Sequence, residues 1–288
     1  MRAVAYQGEP GAYGEEAVFA YFGEEGIEGL CLPTFSAVCD AVVDGRAVAA
    51  LLPLENSIAG TVGEAVDALM RADLAVSGEV LLPVRHQLLA LPGVALASIT
   101  RVASHRQALA QCEGFLAGGG WRAIVAEDTA GAARQLREAG DRTTAVIASR
   151  RAAARYGLEV LASDIQDAAA NLTRFVVVTP SGTASRAHDL PPPVGPLAPD
   201  AAAPVTCLIA FETRHRPGAL HRALGSFAEA GVNLSRIESR PTGRAQWEYR
   251  FLVSVDGHHA TEPLASALAS LAQLAHDVRV LGSFPSAG

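Results

Sequence analysis

The sequence predicts an α/β protein built from two folded parts. The chain has 288 residues, which suits about two domains at roughly 100 to 200 residues each. Half of the residues are hydrophobic and 18% are charged, a composition typical of a globular protein with a full core. Seven of the 16 prolines fall between Pro180 and Pro204. We therefore expect an α/β region over residues 1–180, a proline-rich linker over 181–204 and a second domain over 205–284.

In the first region, short apolar runs alternate with amphipathic segments in the order of β-α-β units. Strands are predicted over 2–6, 30–33, 48–52, 75–83, 87–91, 123–126, 145–148 and 175–179. Helices are predicted over 15–22, 36–43, 61–71, 107–117, 129–139 and 150–156. The strands at 123–126, 145–148 and 175–179 are continuous apolar runs, so we expect them to be buried.

The second part carries its elements in the ferredoxin-like order β-α-β-β-α-β. Strands are predicted over 206–211, 232–237, 246–255 and 278–281, and helices over 217–231 and 261–275. The first helix has Pro217 in its first turn and Gly231 just past its end, as helix termini favour. Apolar residues from Trp247 to Val253 alternate along the third strand, which predicts one apolar face. The extended linker does not fix how the two domains dock.

Composition excludes several functional classes. The net charge of −7 argues against nucleic acid as a partner, because phosphate backbones are bound by clustered basic charge. All 23 basic residues are arginine, so no lysine can form a Schiff base or serve a phosphate loop. Cys31, Cys39, Cys112 and Cys207 lack metal-ligand spacing. We expect no metal or organic cofactor and, without a signal peptide or membrane span, a cytoplasmic location with no membrane partner.

A glycine-containing turn follows the first strand. Gly8, Gly11 and Gly14 separate that strand from the first helix. Free backbone N–H groups and the helix dipole at such a junction favour an anionic group. A tight turn without a ligand explains the same glycines equally well.

Two further segments combine hydroxyls, amides and charges. Residues 53–62 (PLENSIAGTV) lie between a strand and a helix, where ligands bind in α/β sheets, although Asn56 and Ser57 could simply cap the helix. Near the start of a later strand, Thr173 offers a hydroxyl, and Arg174 could bind a carboxylate through two parallel hydrogen bonds. Both segments predict recognition of a small polar or anionic ligand.

The segment 102–112 (VASHRQALAQC) predicts a strand that ends in Ser104 and His105, followed by a helix. Gln107 and Gln111 are one turn apart on that helix and share one face. Taken singly, His105 is better explained as a structural or exposed histidine, and Cys112 as a buried apolar residue.

Together, these segments resemble the prephenate dehydratase family. The motifs that carry the resemblance are 6–13 (YQGEPGAY), 53–62 (PLENSIAGTV), 104–112 (SHRQALAQC) and 171–175 (NLTRF). After the linker, 216–220 (RPGAL) and 237–241 (IESRP) resemble an ACT domain that senses phenylalanine. The resemblance implies two α/β lobes, similar to periplasmic binding proteins, with the substrate in the cleft between them. It also implies decarboxylating dehydration of prephenate to phenylpyruvate, inhibition by L-phenylalanine, and a homodimer or homotetramer.

The family's site residues carry over onto this sequence position by position. The catalytic group implied in this way comprises Thr173, Asn56, Ser104 and Gln111. The implied substrate-binding group comprises Glu55, Ser57, Arg174 and Gly11. The implied phenylalanine-binding group comprises Gly218, Ala219, Leu220, Asn233, Glu238, Ser239, Arg240 and Pro241. Gly14 stands where many relatives have a serine that could cap the helix, and Arg106 stands where they have proline.

Three alternatives remain open at this point. Arogenate dehydratase performs the same elimination on an aminated substrate, and the motifs barely separate the two activities. A sensor could keep the cleft and the ACT domain without catalysis, although the retained Thr173 argues against this. The ACT domain itself could serve dimerisation alone.

Overall fold

The computed structural model describes residues 1–182, 190–243 and 247–287, in which the chain forms three sheets. The strands are β1 (Arg2–Gln7), β2 (Ile27–Leu32), β3 (Ala49–Asn56), β4 (Gly60–Thr61), β5 (Leu74–Pro83), β6 (Gln87–Ala90), β7 (Arg101–His105), β8 (Arg122–Ala126), β9 (Thr144–Ala148), β10 (Glu159–Ala162), β11 (Leu172–Pro180), β12 (Val205–Glu212), β13 (Leu234–Pro241), β14 (Tyr249–Asp256) and β15 (His276–Pro285). The α-helices are α1 (Tyr13–Phe22), α2 (Phe35–Val43), α3 (Gly63–Arg71), α4 (Arg106–Ala110), α5 (Glu113–Gly119), α6 (Thr129–Ala139), α7 (Arg150–Tyr156), α8 (Ala219–Glu229) and α9 (Leu264–Leu274). None of the helices in these ranges is long and apolar enough to cross a membrane.

The first two sheets form two lobes, which we call lobe I and lobe II. Lobe I has the strand order β2-β1-β3-β11-β5, with β4 paired to β3, and lobe II has the order β10-β6-β9-β7-β8. The chain crosses from lobe I to lobe II at 84–86 and returns at 163–171. In lobe I, β11 returns antiparallel between β3 and β5. The expectation of an α/β region in two lobes is confirmed.

Helix termini follow the local sequence closely. Asp128 caps α6 by accepting a hydrogen bond from the Gly131 N–H at 2.6 Å. Ser149 caps α7 through the Ala152 N–H at 2.9 Å. Both helices end at a glycine in the left-handed conformation, a common helix terminus. The helix α1 differs, because its N-cap residue Ala12 provides no side-chain acceptor. Position 14 lies inside the first turn of α1, so Gly14 does not occupy the capping position that the sequence suggested.

The C-terminal domain has the sheet order β13-β14-β12-β15 and the predicted β-α-β-β-α-β sequence of elements. Helices α8 and α9 cover one face, where Phe211, Phe227 and Val253 are buried in the domain's own core. The other face packs on lobe I, and Leu252 and Phe284 belong to the lobe I core. Strand β14 is therefore buried on both faces, which corrects the prediction of a single apolar face. Position 246, where that strand was predicted to begin, lies outside the described residues.

The backbones of lobe I and the C-terminal domain approach each other closely at Gly282. A Cβ atom at this position would lie 1.9 Å from the carbonyl oxygen of Val76 in β5. Only a residue without a side chain permits this approach between β15 and β5. The domain therefore docks on lobe I through its sheet rather than through its helices.

The linker follows the surface of lobe I where the structure describes it. The N–H of Gly195 donates to the carbonyl of Tyr21 at 2.8 Å, and the N–H of Leu197 donates to that of Ala20 at 2.9 Å. Leu190 packs against the core cluster of lobe I that contains Ala20 and Tyr21. The described part of the linker is thus tied to α1, while residues 183–189 of the predicted linker lie outside the described residues.

Three elements of lobe II differ from the sequence prediction. The helix predicted over 107–117 is divided into α4 and α5, with a break at Gln111 and Cys112. The strand predicted as buried over 123–126 is the edge strand β8, which leaves Ile124 and Val125 exposed. Strand β10 carries no strong apolar alternation and was not predicted.

Candidate active site

A cavity of about 300 Å³ lies in the cleft between the two lobes. The carboxyl ends of β1, β3, β7 and β8 meet there, which is where ligands bind in α/β sheets. The lining residues are Gln7, Gly8, Ala12, Tyr13, Gly14, Phe35, Leu51, Pro53, Asn56, Val62, Val84, His86, His105, Gln107, Ala108, Gln111, Glu127, Asp128, Thr129, Thr173 and Phe175. Three of the predicted catalytic residues, Thr173, Asn56 and Gln111, are among them.

The pairing of β3 with β11 brings Thr173 and Asn56 together. Thr173 lies opposite Asn56, and Phe175 lies opposite Pro53. The register skips Leu54, so β3 contains a β-bulge. Side chains alternate along a strand, and the bulge changes the phase of β3 so that Asn56 and Pro53 line the same cleft as Thr173 and Phe175.

Two backbone groups fix the orientation of the Asn56 amide. Its Oδ1 accepts hydrogen bonds from the N–H groups of Ile58 at 3.1 Å and Ala59 at 2.9 Å. Because a backbone N–H can only donate, the other end of the amide is the NH₂ group. Asn56 Nδ2 donates to Thr173 Oγ1 at 3.0 Å and to Asn171 Oδ1 at 2.7 Å. The Thr173 hydroxyl therefore accepts from Asn56 and keeps its own proton for a group in the cleft.

The same reasoning fixes the Gln111 amide. Asn171 accepts through its oxygen, so its Nδ2 must donate, and it does so to Gln111 Oε1 at 3.0 Å. His86 Nε2 lies 2.8 Å from the same oxygen. Gln111 Nε2 is buried without a hydrogen-bond partner in the part of the chain that the structure describes. Gln111, which lines the cleft, thus carries a second side-chain donor with no partner among the described residues.

Two residues of this network had no role assigned from the sequence. The side chains of Tyr13 and His86 meet in the cleft wall, with Tyr13 Oη 2.8 Å from His86 Nδ1. Burial lowers the pKa of His86, and the hydrogen bond with Gln111 offsets part of this change. The feature of the sequence that could have indicated His86 is its position. It directly precedes the apolar strand β6, at the first crossing between the lobes.

Two of the predicted site residues lie outside the cleft. Ser104 is fully buried, and its hydroxyl donates to the carbonyl of Ile147 at 2.6 Å. Successive side chains of β7 point to opposite faces, so the residue after Ser104 lines the cleft instead. Gly11 donates its N–H to Glu15 at 2.9 Å, and its carbonyl accepts from Ser149 at 2.6 Å. Gly11 therefore joins lobe I to lobe II without facing the cavity.

Three predicted substrate-binding residues are also directed elsewhere. Glu55 Oε2 accepts a hydrogen bond from Arg236 Nε of the C-terminal domain at 3.1 Å. Arg174 lies 3.5 Å from the buried carboxylate of Glu79. Both residues are sequence neighbours of cleft residues, and strand alternation places them on the opposite face. Ser57 bonds the main chain of the second crossing. The structure brings none of the three to the cleft.

The cleft is lined by both apolar and polar side chains, with no arginine among its described lining residues. Its carboxylates are those of Glu127 and Asp128, and Asp128 already caps α6. The positive end of α1 faces the cleft at Tyr13 and Gly14, with no capping side chain in front of it. Within the described ranges, no cluster of three His, Cys, Asp or Glu side chains could hold a metal ion.

The predicted effector residues fall into two groups. On β13, Glu238 accepts a hydrogen bond from Thr61 at 2.6 Å, and Arg240 donates to both oxygens of Asp67 at 2.8 and 2.7 Å. These two residues face lobe I. The others are Gly218, Ala219 and Leu220 at the start of α8, Asn233 before β13, and the exposed Ser239 and Pro241.

Comparison with known proteins agrees with the architecture. Residues 4–183 match the prephenate dehydratase family, and residues 208–273 match the ACT domain family. A bifunctional N-acyl-homoserine lactone acylase/prephenate dehydratase of Komagataeibacter europaeus is 39% identical, over 99% of this chain and 96% of that protein. Arogenate dehydratase/prephenate dehydratase 2 of Arabidopsis thaliana, a chloroplastic protein, is 37% identical over 98% of this chain and 72% of its own length.

Solved structures give the same result. Prephenate dehydratase from Arthrobacter aurescens in complex with L-Phe has a TM-score of 0.86 and 32% identity, over 99% of this chain and 90% of that chain. Prephenate dehydratase from Staphylococcus aureus has a TM-score of 0.79 and 26% identity, over 99% and 100% of the two chains. The chain therefore belongs to the prephenate dehydratase family, whose members are carbon–oxygen lyases, and it carries an ACT domain.

Proposed function

We propose that this protein converts prephenate to phenylpyruvate, carbon dioxide and water, and that L-phenylalanine regulates the reaction. Prephenate carries two carboxylates and a hydroxyl on a ring that is not yet aromatic. When the ring carboxylate leaves as carbon dioxide, its bonding electron pair enters the ring, and the ring C–O bond breaks. The departing hydroxide takes up a proton and leaves as water. The reaction therefore needs a hydrogen-bond donor at the hydroxyl more than it needs a nucleophile.

The observation that carries the proposal is the direction of the hydrogen bond between Asn56 and Thr173, in which Asn56 donates and Thr173 accepts. Since Asn56 donates to Thr173 Oγ1, the hydroxyl proton of Thr173 is available to the departing hydroxyl of the substrate. A threonine is a weak acid, so it acts through a preorganised hydrogen bond that strengthens as negative charge develops on the leaving oxygen. Gln111 Nε2 is a second donor of the same kind.

The cleft also suits the loss of a carboxylate. Its described lining contains no arginine that would hold the ring carboxylate in its charged form. A less solvated carboxylate is easier to lose as neutral carbon dioxide. The second carboxylate can instead bind the N-terminus of α1 and the turn at Gly8. This assignment replaces Arg174, whose side chain contacts Glu79.

Regulation by phenylalanine is supported by the contacts of β13. This strand carries the ESRP motif at 238–241 and touches lobe I through Glu238 and Arg240. Its neighbour Arg236 bonds Glu55, the residue next to Asn56. A ligand that moves β13 therefore acts within one residue of the proposed catalytic network. We further propose a cytoplasmic homo-oligomer that requires no cofactor.

The test is to incubate the purified chain, without added metal or cofactor, separately with prephenate and with arogenate. We expect phenylpyruvate from prephenate and a lower rate with added phenylalanine. If phenylalanine forms from arogenate and nothing forms from prephenate, the substrate is arogenate. Arogenate is included because the name of one relative contains both activities. Turnover of neither substrate would favour a sensor. A third incubation, with an N-acyl-homoserine lactone, checks the additional activity named for the relative from Komagataeibacter europaeus.

A further inference from the structure

The imidazole of His86 is held rigidly at the junction of the two lobes. Its backbone N–H donates to Gln166 Oε1 at 2.9 Å, and its carbonyl accepts from the Ile165 N–H at 3.0 Å. Gln166 and Ile165 belong to the second crossing, so both crossings fix the position of His86. The residue is only 2% exposed. Rigid placement of this kind is what a residue needs in order to orient a neighbour.

Each ring nitrogen of His86 has one partner. Nε2 lies 2.8 Å from Gln111 Oε1, which is an oxygen because Asn171 donates to it. Nε2 must therefore carry the proton. Burial lowers the pKa of His86, so the ring is neutral and Nδ1 is an acceptor. The hydroxyl of Tyr13 lies 2.8 Å from Nδ1 and 3.1 Å from the carbonyl oxygen of Arg85, and in this tautomer it can donate to Nδ1.

The hydrogen bonds consequently form one chain that runs from Asn56 through Asn171 and Gln111 to His86. At one end, the N–H groups of Ile58 and Ala59 orient Asn56. At the other end, the Gln111 oxygen accepts from Nε2 and so sets the tautomer of His86. The chain also joins the lobes, since Asn56 belongs to lobe I and Gln111 to lobe II.

We propose that His86 is a positioning residue for the reaction. Its Nε2–H keeps the oxygen of the Gln111 amide turned away from the cleft, so that the NH₂ end faces the substrate. Without this bond, only Asn171 holds the Gln111 oxygen, so the amide can rotate more readily and present its oxygen to an anionic substrate, which would repel it. The inference rests on the proposed dehydratase function and assigns His86 a role through Gln111, without contact with the reacting atoms.

A purely structural histidine would fill space in the cleft wall and have no preference between its two nitrogens. Two amide variants separate these roles. In His86→Gln, the side-chain NH₂ reaches the position of the imidazole Nε2 and can donate to Gln111. In His86→Asn, the shorter side chain reaches only the position of Nδ1. The pair matches in chemistry and differs in length by one methylene group.

The experiment measures kcat and KM for prephenate in the full-length chain and in both variants, with thermal unfolding as the check on folding. We expect His86→Gln to keep kcat within about threefold of the wild type. We expect His86→Asn to lose about tenfold in kcat with a smaller change in KM. Equal losses in the two variants, or wild-type kcat in His86→Asn, would overturn the inference.

A second measurement does not depend on activity or on the folding of a variant. In wild-type protein labelled with ¹⁵N-histidine, the His86 ring should be neutral with its proton on Nε2. A proton on Nδ1 alone would overturn the inference. The proposed function fails separately, as a wild-type chain that turns over neither prephenate nor arogenate. Failure of the inference would instead be an active wild type with an equally active His86→Asn.

Discussion

The cleft and the interface with the C-terminal domain lie on opposite faces of the same two strands, β3 and β11. Asn56 and Thr173 face the cleft, whereas their sequence neighbours Glu55 and Arg174 face away from it. The cleft side is organised by neutral amides, hydroxyls and an imidazole that bond one another. The other side is organised by charged pairs. Adjacent residues of one motif therefore contribute to different structures, one to the neutral hydrogen-bond network of the cleft and the next to a charged pair on the opposite face.

The charged pairs of the interface are partly exposed. Arg240 forms a two-bond contact with Asp67, and Arg236 bonds Glu55. The strength of an exposed ion pair depends on charge, salt and pH. A network of neutral groups depends on which atom donates, so it can be reversed by changing a single atom. The two regions should therefore respond to different perturbations.

The largest effect is expected from reversing the sense of the cleft network. Asn56→Asp keeps the oxygen that accepts from Ile58 and Ala59 but replaces the NH₂ group with a second oxygen. That oxygen would take the proton of Thr173, which would no longer reach the substrate. We expect kcat for prephenate to fall about 10²- to 10³-fold, the range for removing one preorganised donor. Steady-state kinetics measures this change.

Thr173→Val is the reference for this prediction, because it removes the same donor directly. Thr173→Ser keeps the hydroxyl and should keep most of the activity. If Asn56→Asp folds normally and retains more than about a tenth of the wild-type kcat, the fixed sense of the network is not what makes Thr173 a donor.

The next effect concerns the fit between the domains. In Gly282→Ala, the added methyl group would meet the carbonyl of Val76 at 1.9 Å, and backbone cannot move aside cheaply. We expect the free energy of unfolding to fall by about 1 to 3 kcal/mol, as for overpacked sites. Urea unfolding measures this loss.

A matched variant is available in the same domain. Gly225→Ala adds the same methyl group on α8, where the nearest atom is the Glu229 carboxylate oxygen at 3.9 Å. It should be neutral or slightly stabilising, because alanine favours the helix. Equal destabilisation by the two variants would mean that Gly282 is not at a tight domain contact.

The sequence was sufficient to find three residues of the cleft network but not the face that each motif residue occupies. The motifs located Asn56, Thr173 and Gln111, and the structure brings all three to one cavity. They also included Glu55 and Arg174, which face the opposite side. A motif records proximity along the chain, while the face depends on the strand register and on the bulge in β3. Neither of these can be deduced from one sequence.

The remaining differences have a similar origin. The second buried face of β14 arises from docking on lobe I, and a proline-rich linker contains no information about docking. The exposed face of β8 depends on its place at the edge of the sheet, which its apolar residues Ile124 and Val125 do not indicate. His86 was missed because its partners Tyr13 and Gln111 are distant in sequence.

A smaller effect is expected from Glu55→Gln, which changes the interface side of β3 and leaves the cleft side unchanged. The variant removes the charge that pairs with Arg236 and leaves the bonds of Asn56 intact. We expect a loss of about 1 kcal/mol in unfolding free energy that shrinks in 1 M salt, with kcat changed less than about twofold. Urea unfolding at two salt concentrations and steady-state kinetics measure these changes. A tenfold fall in kcat would instead place Glu55 at the substrate, as the motif suggested.

The smallest effect is the pH dependence of the pair between Asp67 and Arg240. The hydrogen bonds from Arg240 lower the pKa of Asp67 below its usual value. A carboxyl group whose pKa is lower in the folded state stabilises the protein above its unfolded pKa of about 3.9, and this contribution is lost as pH falls through the folded pKa. The unfolding free energy of the wild type should therefore exceed that of Asp67→Asn by about 0.5 to 1 kcal/mol at pH 7, and the difference should shrink as pH falls below about 3.9 and through the folded pKa. A difference that stays constant between pH 3 and pH 7 would show that shape, rather than charge, holds this part of the interface.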